Sequence, residues 1–257
     1  MQSDWKPIIK TFPADVKQIS LYFAHDVHFG AAAHQKERWN AYKRLILDDP
    51  NAYVCFIGDL MENAIVGSKS DIYTQTTTPH EQKMWVRDQF LELKDRIICI
   101  TDGNHERNRS TKTAGLYPVY DAAVMAGVED LFRPHLAIVD IGLGKGNKGK
   151  PLRYVGVCVH QANRQVKYHS ADTWEGIDFF AYGHDHTPCD IPGGKKVYDA
   201  KNKSVYSRSV ERINSGSFLG YEGYAIDGKM RPASDKMYKL ILDGTDRRKV
   251  QSVGFYL

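Results

Sequence analysis

Apolar runs that each stop at polar residues recur along the first two-thirds of the chain. The runs ISLYFAHD, AYVCFIGD, RIICITDGNHE, RYVGVCVH and GIDFFAYGH are typical of buried strands, and each ends in oxygen or nitrogen side chains. Between the first two runs, residues 36–47 carry Trp39, Tyr42 and Ile46 at helical spacing. This alternation predicts an α/β fold built from strand–helix units.

A second helix is predicted from its start signal. Thr78, Pro79 and Glu81 have the N-cap, first-position and third-position pattern of a capping box, and the helix should continue through residues 82–94. From Pro188 onward, glycine turns and alternating residues predict hairpins that close a second sheet. Since no linker or repeat interrupts the chain, we expect residues 1–257 to form a single domain.

The composition narrows the class of protein. With 42% hydrophobic and 26% charged residues, the chain is neither disordered nor membrane-embedded in type. No apolar run approaches the roughly 20 residues that span a bilayer, and the start MQSDWKPIIK lacks the apolar core of a secretory signal. We therefore expect a cytoplasmic protein. The formal net charge of +4 would weakly favour the approach of an anionic substrate.

The cysteines predict no metal or disulfide chemistry. The chain has four, with no C-x-x-C pair, and Cys55, Cys99 and Cys158 lie within apolar runs. Buried thiols in such runs usually act as small hydrophobic side chains. We expect these three to pack in the core.

Potential metal ligands follow five predicted strands. The strand ends carry Asp26 and His28, then Asp59, Glu62 and Asn63, then Asn104, His105 and Glu106, then His160, and finally His184 and His186. In α/β sheets such ends converge on one edge, where ligands bind. If the segments are extended, Asp26 and His28 point to one side, as do His184 and His186, while Asp185 faces away.

The donor types favour a pair of metal ions. Asp, His and Asn without thiolates suit Mn²⁺, Fe or Zn²⁺. A carboxylate at the end of a central strand can bridge two ions about 3.5–4 Å apart. The sequence therefore predicts two divalent transition-metal ions, with manganese first and iron, zinc or nickel as alternatives.

The order D-x-H, G-D, G-N-H-E, H, G-H-x-H over residues 26 to 186 resembles the calcineurin-like metallophosphoesterases. This resemblance implies a four-layer α/β/β/α sandwich, in which two mixed β-sheets are flanked by helices. It also implies hydrolysis of a phosphate ester by a hydroxide that bridges the two ions. The implied ligands are Asp26, His28, Asp59 and His186 for one ion, and Asp59, Asn104, His160 and His184 for the other.

The resemblance also implies two catalytic residues. His105 matches the histidine that protonates the leaving oxygen or stabilises the transition state, and Glu62 matches the acidic residue that orients it. The chain departs from the family at two points: it has Glu62-Asn63 where many relatives have Asp-Arg, and Gln161 follows His160 where glycine is common.

The sequence leaves the substrate open. Arg107 and Arg109 are candidate phosphate contacts, with solvated loop charges as the equal alternative. A basic run with two tyrosines could follow a nucleic-acid backbone, although a solvated hairpin face is favoured; it comprises Lys195, Lys196, Lys201, Lys203, Arg208, Arg212, Tyr198 and Tyr206.

The candidate activities are therefore a phosphodiesterase, with nucleic acid among its candidate substrates, then a phosphomonoesterase acting on a phosphoprotein or small molecule, and last a non-catalytic binding module. A phosphate-loop match at residues 144–151 ends in Pro151 instead of Ser or Thr, which favours a hairpin turn.

Overall fold

The computed structural model describes residues 1–68, 70–146, 149–161, 173–222, 226, 232, 234–246 and 249–257. Its strands are β1 Ile8–Thr11, β2 Gln18–Ala24, β3 Ala52–Ile57, β4 Ile97–Thr101, β5 Phe132–Arg133, β6 Leu136–Leu143, β7 Leu152–Gln161, β8 Phe179–Gly183, β9 Cys189–Asp199, β10 Ser204–Asn214, β11 Met237–Asp243 and β12 Val250–Phe255. The helices are α1 Lys36–Asp48, α2 Pro79–Glu92, α3 Lys112–Ala114 and α4 Pro118–Ala126, and a π-helical segment, His105–Thr111, leads into α3.

The strands form two six-stranded mixed sheets. The first sheet has the order β12-β11-β2-β3-β4-β5, and the second has the order β1-β6-β7-β8-β10-β9. In the first sheet β2, β3, β4 and β5 run parallel, whereas β11 is antiparallel to β2. The fold is therefore the predicted α/β sandwich with two mixed sheets.

An apolar core separates the two sheets. Side chains alternate between the faces of a strand, so Phe179 and Ala181 of β8 point into this core while Phe180 and Tyr182 point to the opposite face. Leu21 and Phe23 of β2 enter the core from the other sheet. The face-to-face packing brings the carboxyl ends of β2 and β8 to the same side of the molecule.

Helices α1, α2 and α4 cover the outer face of the first sheet. Trp39, Tyr42 and Ile46 of α1 are buried there as the helical spacing predicted. The predicted capping box opens α2: Thr78 Oγ1 accepts from the Glu81 amide at 3.3 Å, and the Glu81 carboxylate accepts from the Thr78 amide at 2.8 Å. On the outer face of the second sheet a smaller apolar cluster includes Val157 and Phe180.

The C-terminal third differs in part from the prediction. The β9–β10 hairpin joins the second sheet, as expected. The β11–β12 hairpin instead extends the first sheet, because β11 pairs with β2. The prediction that all the late hairpins close a second sheet is therefore wrong for β11 and β12.

Two smaller predictions are confirmed. Cys55, Cys99 and Cys158 are completely buried between the sheets as free thiols, and Cys189 is half-buried. The segment at residues 144–151 connects the antiparallel strands β6 and β7, and a strand follows it instead of a helix; its residues 147 and 148 lie outside the described part. In the residues that the structure describes, no helix combines the length and apolar character needed to cross a membrane.

Candidate metal centre

All seven predicted ligands lie at or just beyond the carboxyl ends of five strands, namely β2, β3 and β4 of the first sheet and β7 and β8 of the second. Three loops of the first sheet, after β2, β3 and β4, supply four of them, and β7 and the loop after β8 supply the others. The set comprises Asp26, His28, Asp59, Asn104, His160, His184 and His186. Residues that are far apart in the sequence therefore lie together in space, and both sheets contribute to the site.

The first cluster consists of Asp26, His28 and His186, whose ligand atoms lie within 4.8 Å of one another. Asp26 Oδ1 is 3.3 Å from His186 Nε2 and 3.7 Å from His28 Nε2. The Asp26 and His28 side chains are almost completely buried. One carboxylate oxygen and two imidazole nitrogens thus face a common point and could hold a metal ion.

The second cluster consists of Asp59, His160 and His184, again within 4.8 Å. Asp59 Oδ2 is 3.1 Å from His160 Nε2, and the same nitrogen is 3.1 Å from Asn104 Oδ1. His160 Nδ1 donates to the Ile57 carbonyl at 2.7 Å, which leaves Nε2 facing the site. Asn104 therefore adds a fourth oxygen or nitrogen donor to this cluster.

Asp59 lies between the two clusters. Its Oδ2 is 3.8 Å from His28 Nε2 of the first cluster and also touches His160 of the second. An added Cβ at Gly103 would overlap Asp59 Oδ1, so the glycine of the G-N-H-E motif leaves room for this carboxylate. His184 and His186, which are two residues apart, belong to different clusters.

Two polar atoms fit the chemistry of a metal site. Among the residues that the structure describes, Asp26 Oδ1 and His28 Nε2 are buried and have no hydrogen-bond partner. An unpartnered buried polar group costs about 1–3 kcal/mol, and these two face each other across the first cluster. A cation bound to both atoms would satisfy them, and the mixture of carboxylate oxygen and imidazole nitrogen suits a transition metal.

The charges of the cluster are strongly perturbed in the metal-free chain. Burial alone would lower the pKa of His28, but Asp26, Glu62 and Asp59 raise it to about 10. Burial likewise opposes the shift at His160, where Asp59 and Asp26 raise the pKa to about 9. Against the effect of burial, the neighbouring histidines hold the pKa of Asp59 well below its usual value. The protonated imidazoles of His28 and His160 therefore balance the charge of the buried carboxylates.

The ligand loops have strained backbones. Asp26, His28, Asp59, His184 and His186 all have positive φ, between 48° and 82°. The extended geometry predicted for Asp26-His28 and for His184-His186 is therefore wrong, because both pairs lie beyond the ends of β2 and β8. Each such residue costs on the order of 1–3 kcal/mol and persists only where its surroundings fix it. Five of the predicted ligands therefore share this left-handed backbone at one edge of the sheets.

His105 lies beside Asp59 in a network with Glu62 and Arg109. Its Nδ1 donates to the Glu62 carbonyl at 2.9 Å, and its Nε2 accepts from Arg109 Nη2 at 3.0 Å. Nε2 is also 3.8 Å from Asp59 Oδ2. Burial, with His28 and Arg109, lowers the pKa of His105 to about 4 although Asp59 and Glu62 oppose the shift. The imidazole is therefore neutral at pH 7 in the metal-free chain.

Glu62 contacts the site in a way that sequence reasoning did not anticipate. Its carboxylate is 3.2 Å from His28 Nδ1 and 3.1 Å from Arg109 Nη1, whereas His105 Nδ1 is 3.6 Å away. The carboxylate therefore orients His28 and Arg109, while the backbone carbonyl orients His105. Asn63 supports the same network by donating to the His105 carbonyl at 3.0 Å.

The two candidate arginines have different surroundings. Arg109 is largely buried and donates to Glu62, to His105 and to Ser70 Oγ at 2.9 Å. Arg107 lines a cavity whose other residues are Lys112, His135, Leu136 and Val159, and which includes no member of either cluster. Arg109 contacts both predicted catalytic residues, Glu62 and His105.

Sequence reasoning named Glu106 of the G-N-H-E motif only as a potential metal ligand, whereas the structure places its carboxylate on backbone amides. Its buried carboxylate accepts from the backbone amides of Asp59, Leu60, Met61 and Gly103, at 2.8 to 3.1 Å. It thereby ties the loop after β3 to the loop after β4. The G-N-H-E motif drew attention to Glu106, but nothing in the sequence indicated that its carboxylate would bind these four backbone amides.

Residues 214–218, NSGSF, were also missed. Asn214 Nδ2 donates to Asp185 Oδ1 at 2.9 Å, which explains how Asp185 is turned from the site. The Phe218 amide donates to the Asp26 carbonyl at 3.0 Å, and the Ser215 amide donates to His25 Nε2 at 3.1 Å. One segment after β10 thus supports both the Asp26 loop and the Asp185 loop.

Comparisons with known proteins add little to these residues. No family model and no curated protein matches the chain. Among solved structures, the chain is similar to Vps29 from Chaetomium thermophilum, with 12% sequence identity and a TM-score of 0.38, over 93% of this chain and 98% of that one. The functional assignment therefore depends on the site residues themselves.

Proposed function

We propose that this chain is a binuclear metal-dependent phosphoesterase of the calcineurin-like type. The observation that carries the proposal is the convergence of all seven motif residues around Asp59, with Asp26 Oδ1 and His28 Nε2 buried and unpartnered. The motif order gives independent support, because it was identified without reference to these contacts. The ion pairs of Asp26 Oδ1 with His186 and His28 satisfy these atoms in part, and a bound cation would contact both of them.

In this proposal the first ion is held by Asp26, His28, Asp59 and His186. The second is held by Asp59, Asn104, His160 and His184. The division agrees with the distances, since the first cluster and the second cluster each lie within 4.8 Å and Asp59 touches both. Bound divalent cations would polarise the phosphoryl group and lower the pKa of a water molecule, so that hydroxide is available near neutral pH.

His105 is the proposed acid for the leaving oxygen. Its Nδ1 is held by the Glu62 carbonyl, so Nε2 is the atom that can carry a proton towards the substrate. Arg109 now donates to that nitrogen. The role therefore requires the negative charge of a bound phosphate ester to favour protonation of Nε2 and to attract the Arg109 guanidinium, which would then contact a phosphate oxygen.

A diester substrate, including nucleic acid, is favoured over the alternatives. Support comes from the basic β9–β10 hairpin, where the exposed side chains include Tyr198, Lys201, Lys203 and Tyr206. Arg208 contributes less than the sequence suggested, because it binds the Asp178 carboxylate and nearby carbonyls. The main alternative is a phosphomonoesterase on a phosphoprotein or small molecule, followed by a non-catalytic binding module.

Parallel assays with added Mn²⁺ test this proposal. The substrates are bis-p-nitrophenyl phosphate, p-nitrophenyl phosphate and single-stranded DNA, each with wild-type protein and with Asp59→Asn. The matched control is His80→Asn, because His80 is exposed on α2 and belongs to no cluster. We expect diester turnover that Asp59→Asn abolishes and His80→Asn retains. Turnover of the monoester alone would favour the second candidate, and no turnover would favour the binding module.

A further inference from the structure

His25 is a buried residue between β2 and Asp26 for which the proposed reaction has no role. Its imidazole is fully buried, with Nδ1 at 2.7 Å from Asp26 Oδ2 and Nε2 at 3.1 Å from the Ser215 amide nitrogen. A backbone amide can only donate, so Nε2 must accept. The ring hydrogen is therefore on Nδ1 and is donated to Asp26 Oδ2.

This hydrogen bond determines which oxygen of Asp26 is available. Oδ2 also accepts from the His184 amide at 2.8 Å, so both of the carboxylate's hydrogen bonds fall on one oxygen. Oδ1 has no hydrogen-bond partner and faces Nε2 of His186 at 3.3 Å and of His28 at 3.7 Å. The carboxylate is thus held with a single free oxygen turned into the first cluster.

Gly183 leaves room for the His25 ring and for the Asp26 carboxylate. A Cβ added to Gly183 would lie 3.0 Å from His25 Nδ1 and from Asp26 Oδ2, and 3.1 Å from His160 Nδ1. The backbone on both sides is also fixed, since the Asp26 amide donates to the Gly58 carbonyl and the Asp26 carbonyl accepts from Phe218. His25 therefore connects Asp26 to the segment after β10 through its two ring nitrogens.

We propose that His25 is a positioning residue that orients Asp26 for metal binding by fixing Oδ1 as the ligand atom. The inference rests on the proposed metal centre but is independent of catalysis. Hydrogen-bond partners of metal ligands contribute typically 10–100-fold to metal affinity. Without the donated hydrogen bond, the carboxylate can turn and lose its preferred ligand atom.

The test is the Mn²⁺ affinity of three variants, His25→Leu, His25→Asn and His25→Gln. Each metal-free protein is titrated with Mn²⁺ alone in a calorimeter. The Asn amide nitrogen can take the position of Nδ1, whereas the longer Gln amide reaches towards Ser215. We expect about 10- to 100-fold weaker binding for Leu and Gln, with affinity partly restored by Asn. His80→Leu is the control and should match the wild type.

The outcomes separate this inference from the proposed reaction. Equal Mn²⁺ affinity of His25→Leu and the wild type would overturn the positioning role and leave the phosphoesterase proposal intact. If His25→Leu does not fold, equal affinities of the Asn and Gln variants would overturn it. A wild type that binds Mn²⁺ tightly but hydrolyses nothing would overturn the proposed function alone.

Discussion

The metal-ligand loops and the β9–β10 hairpin use polar residues in opposite ways. In the loops, Asp26, His28 and Asp59 are buried and have left-handed backbones, and His28 lies within ion-pair distance of both carboxylates. In the hairpin, 11 residues of β9 pair regularly with 11 of β10, and Tyr198 and Val205 form a cross-strand pair that is 64% exposed at each residue. The loops therefore specify chemistry, whereas the hairpin can add only contacts with a partner.

The largest expected effect is that of His105→Ala, which tests the proposed chemistry of the metal-ligand loops. Because we propose that His105 donates a proton and does not bind metal, we expect hydrolysis to fall by about 10²–10⁴-fold while Mn²⁺ binding is retained. Turnover of the diester and metal content should be measured on the same preparation. Loss of metal in this variant would reassign His105 as a ligand.

The pH dependence of metal binding is the next largest effect. The pKa values of His28 and His160 are raised to about 10 and 9, so both imidazoles are protonated at pH 7 and must lose a proton to bind metal. Mn²⁺ affinity should therefore rise between pH 6.5 and 8.5, by about tenfold per pH unit for each proton released. Calorimetry in buffers of different ionisation enthalpy counts those protons, and affinity independent of pH would contradict the account.

The stability of the metal-free fold should change with pH in the opposite direction to the Mn²⁺ affinity. Raised histidine pKa values stabilise it fully below the unfolded-state pKa of about 6.5, and this contribution is lost as the pH rises through 9 to 10. Without metal, the melting temperature should therefore fall over this range. With saturating Mn²⁺ the decline should be smaller, because the cation replaces the protons.

The hairpin prediction concerns long substrates only. Replacing Lys195, Lys196, Lys201 and Lys203 together by Gln should weaken binding of single-stranded DNA and lower its log–log salt slope by about 0.7 for each lost phosphate contact. Mn²⁺ binding and turnover of the small diester should not change. A wild-type salt slope in the quadruple variant would remove the hairpin from the proposed substrate surface.

The sequence predicted which residues lie together better than it predicted the geometry that holds them. Asp26, Asp59 and His160 were found because each follows or ends an apolar run, a signal that is local in the chain. The left-handed backbone at Asp26 was not predictable, since it depends on an amide of Phe218, 192 residues away. The strand β1 also escaped, because it has four residues and its Ile9 is 65% exposed.

The roles of His25 and Glu106 had no sequence signal for a similar reason. His25 lies next to Asp26, but its partner Ser215 comes from a loop after β10. Glu106 belongs to a quoted motif, yet its four donors are backbone amides that any residue could supply. Because every residue except proline has a backbone amide, a side chain that binds one places no requirement on the type of residue that supplies it.

The central claim is that two metal ions share Asp59. It is tested most directly by metal analysis after saturation with Mn²⁺ and removal of free ion, on wild-type protein and Asp59→Ala. The account predicts two ions per chain in the wild type and loss of both, or a large fall in occupancy, in the variant, because Asp59 touches both clusters. One ion or none in the wild type, or two in Asp59→Ala, would contradict it.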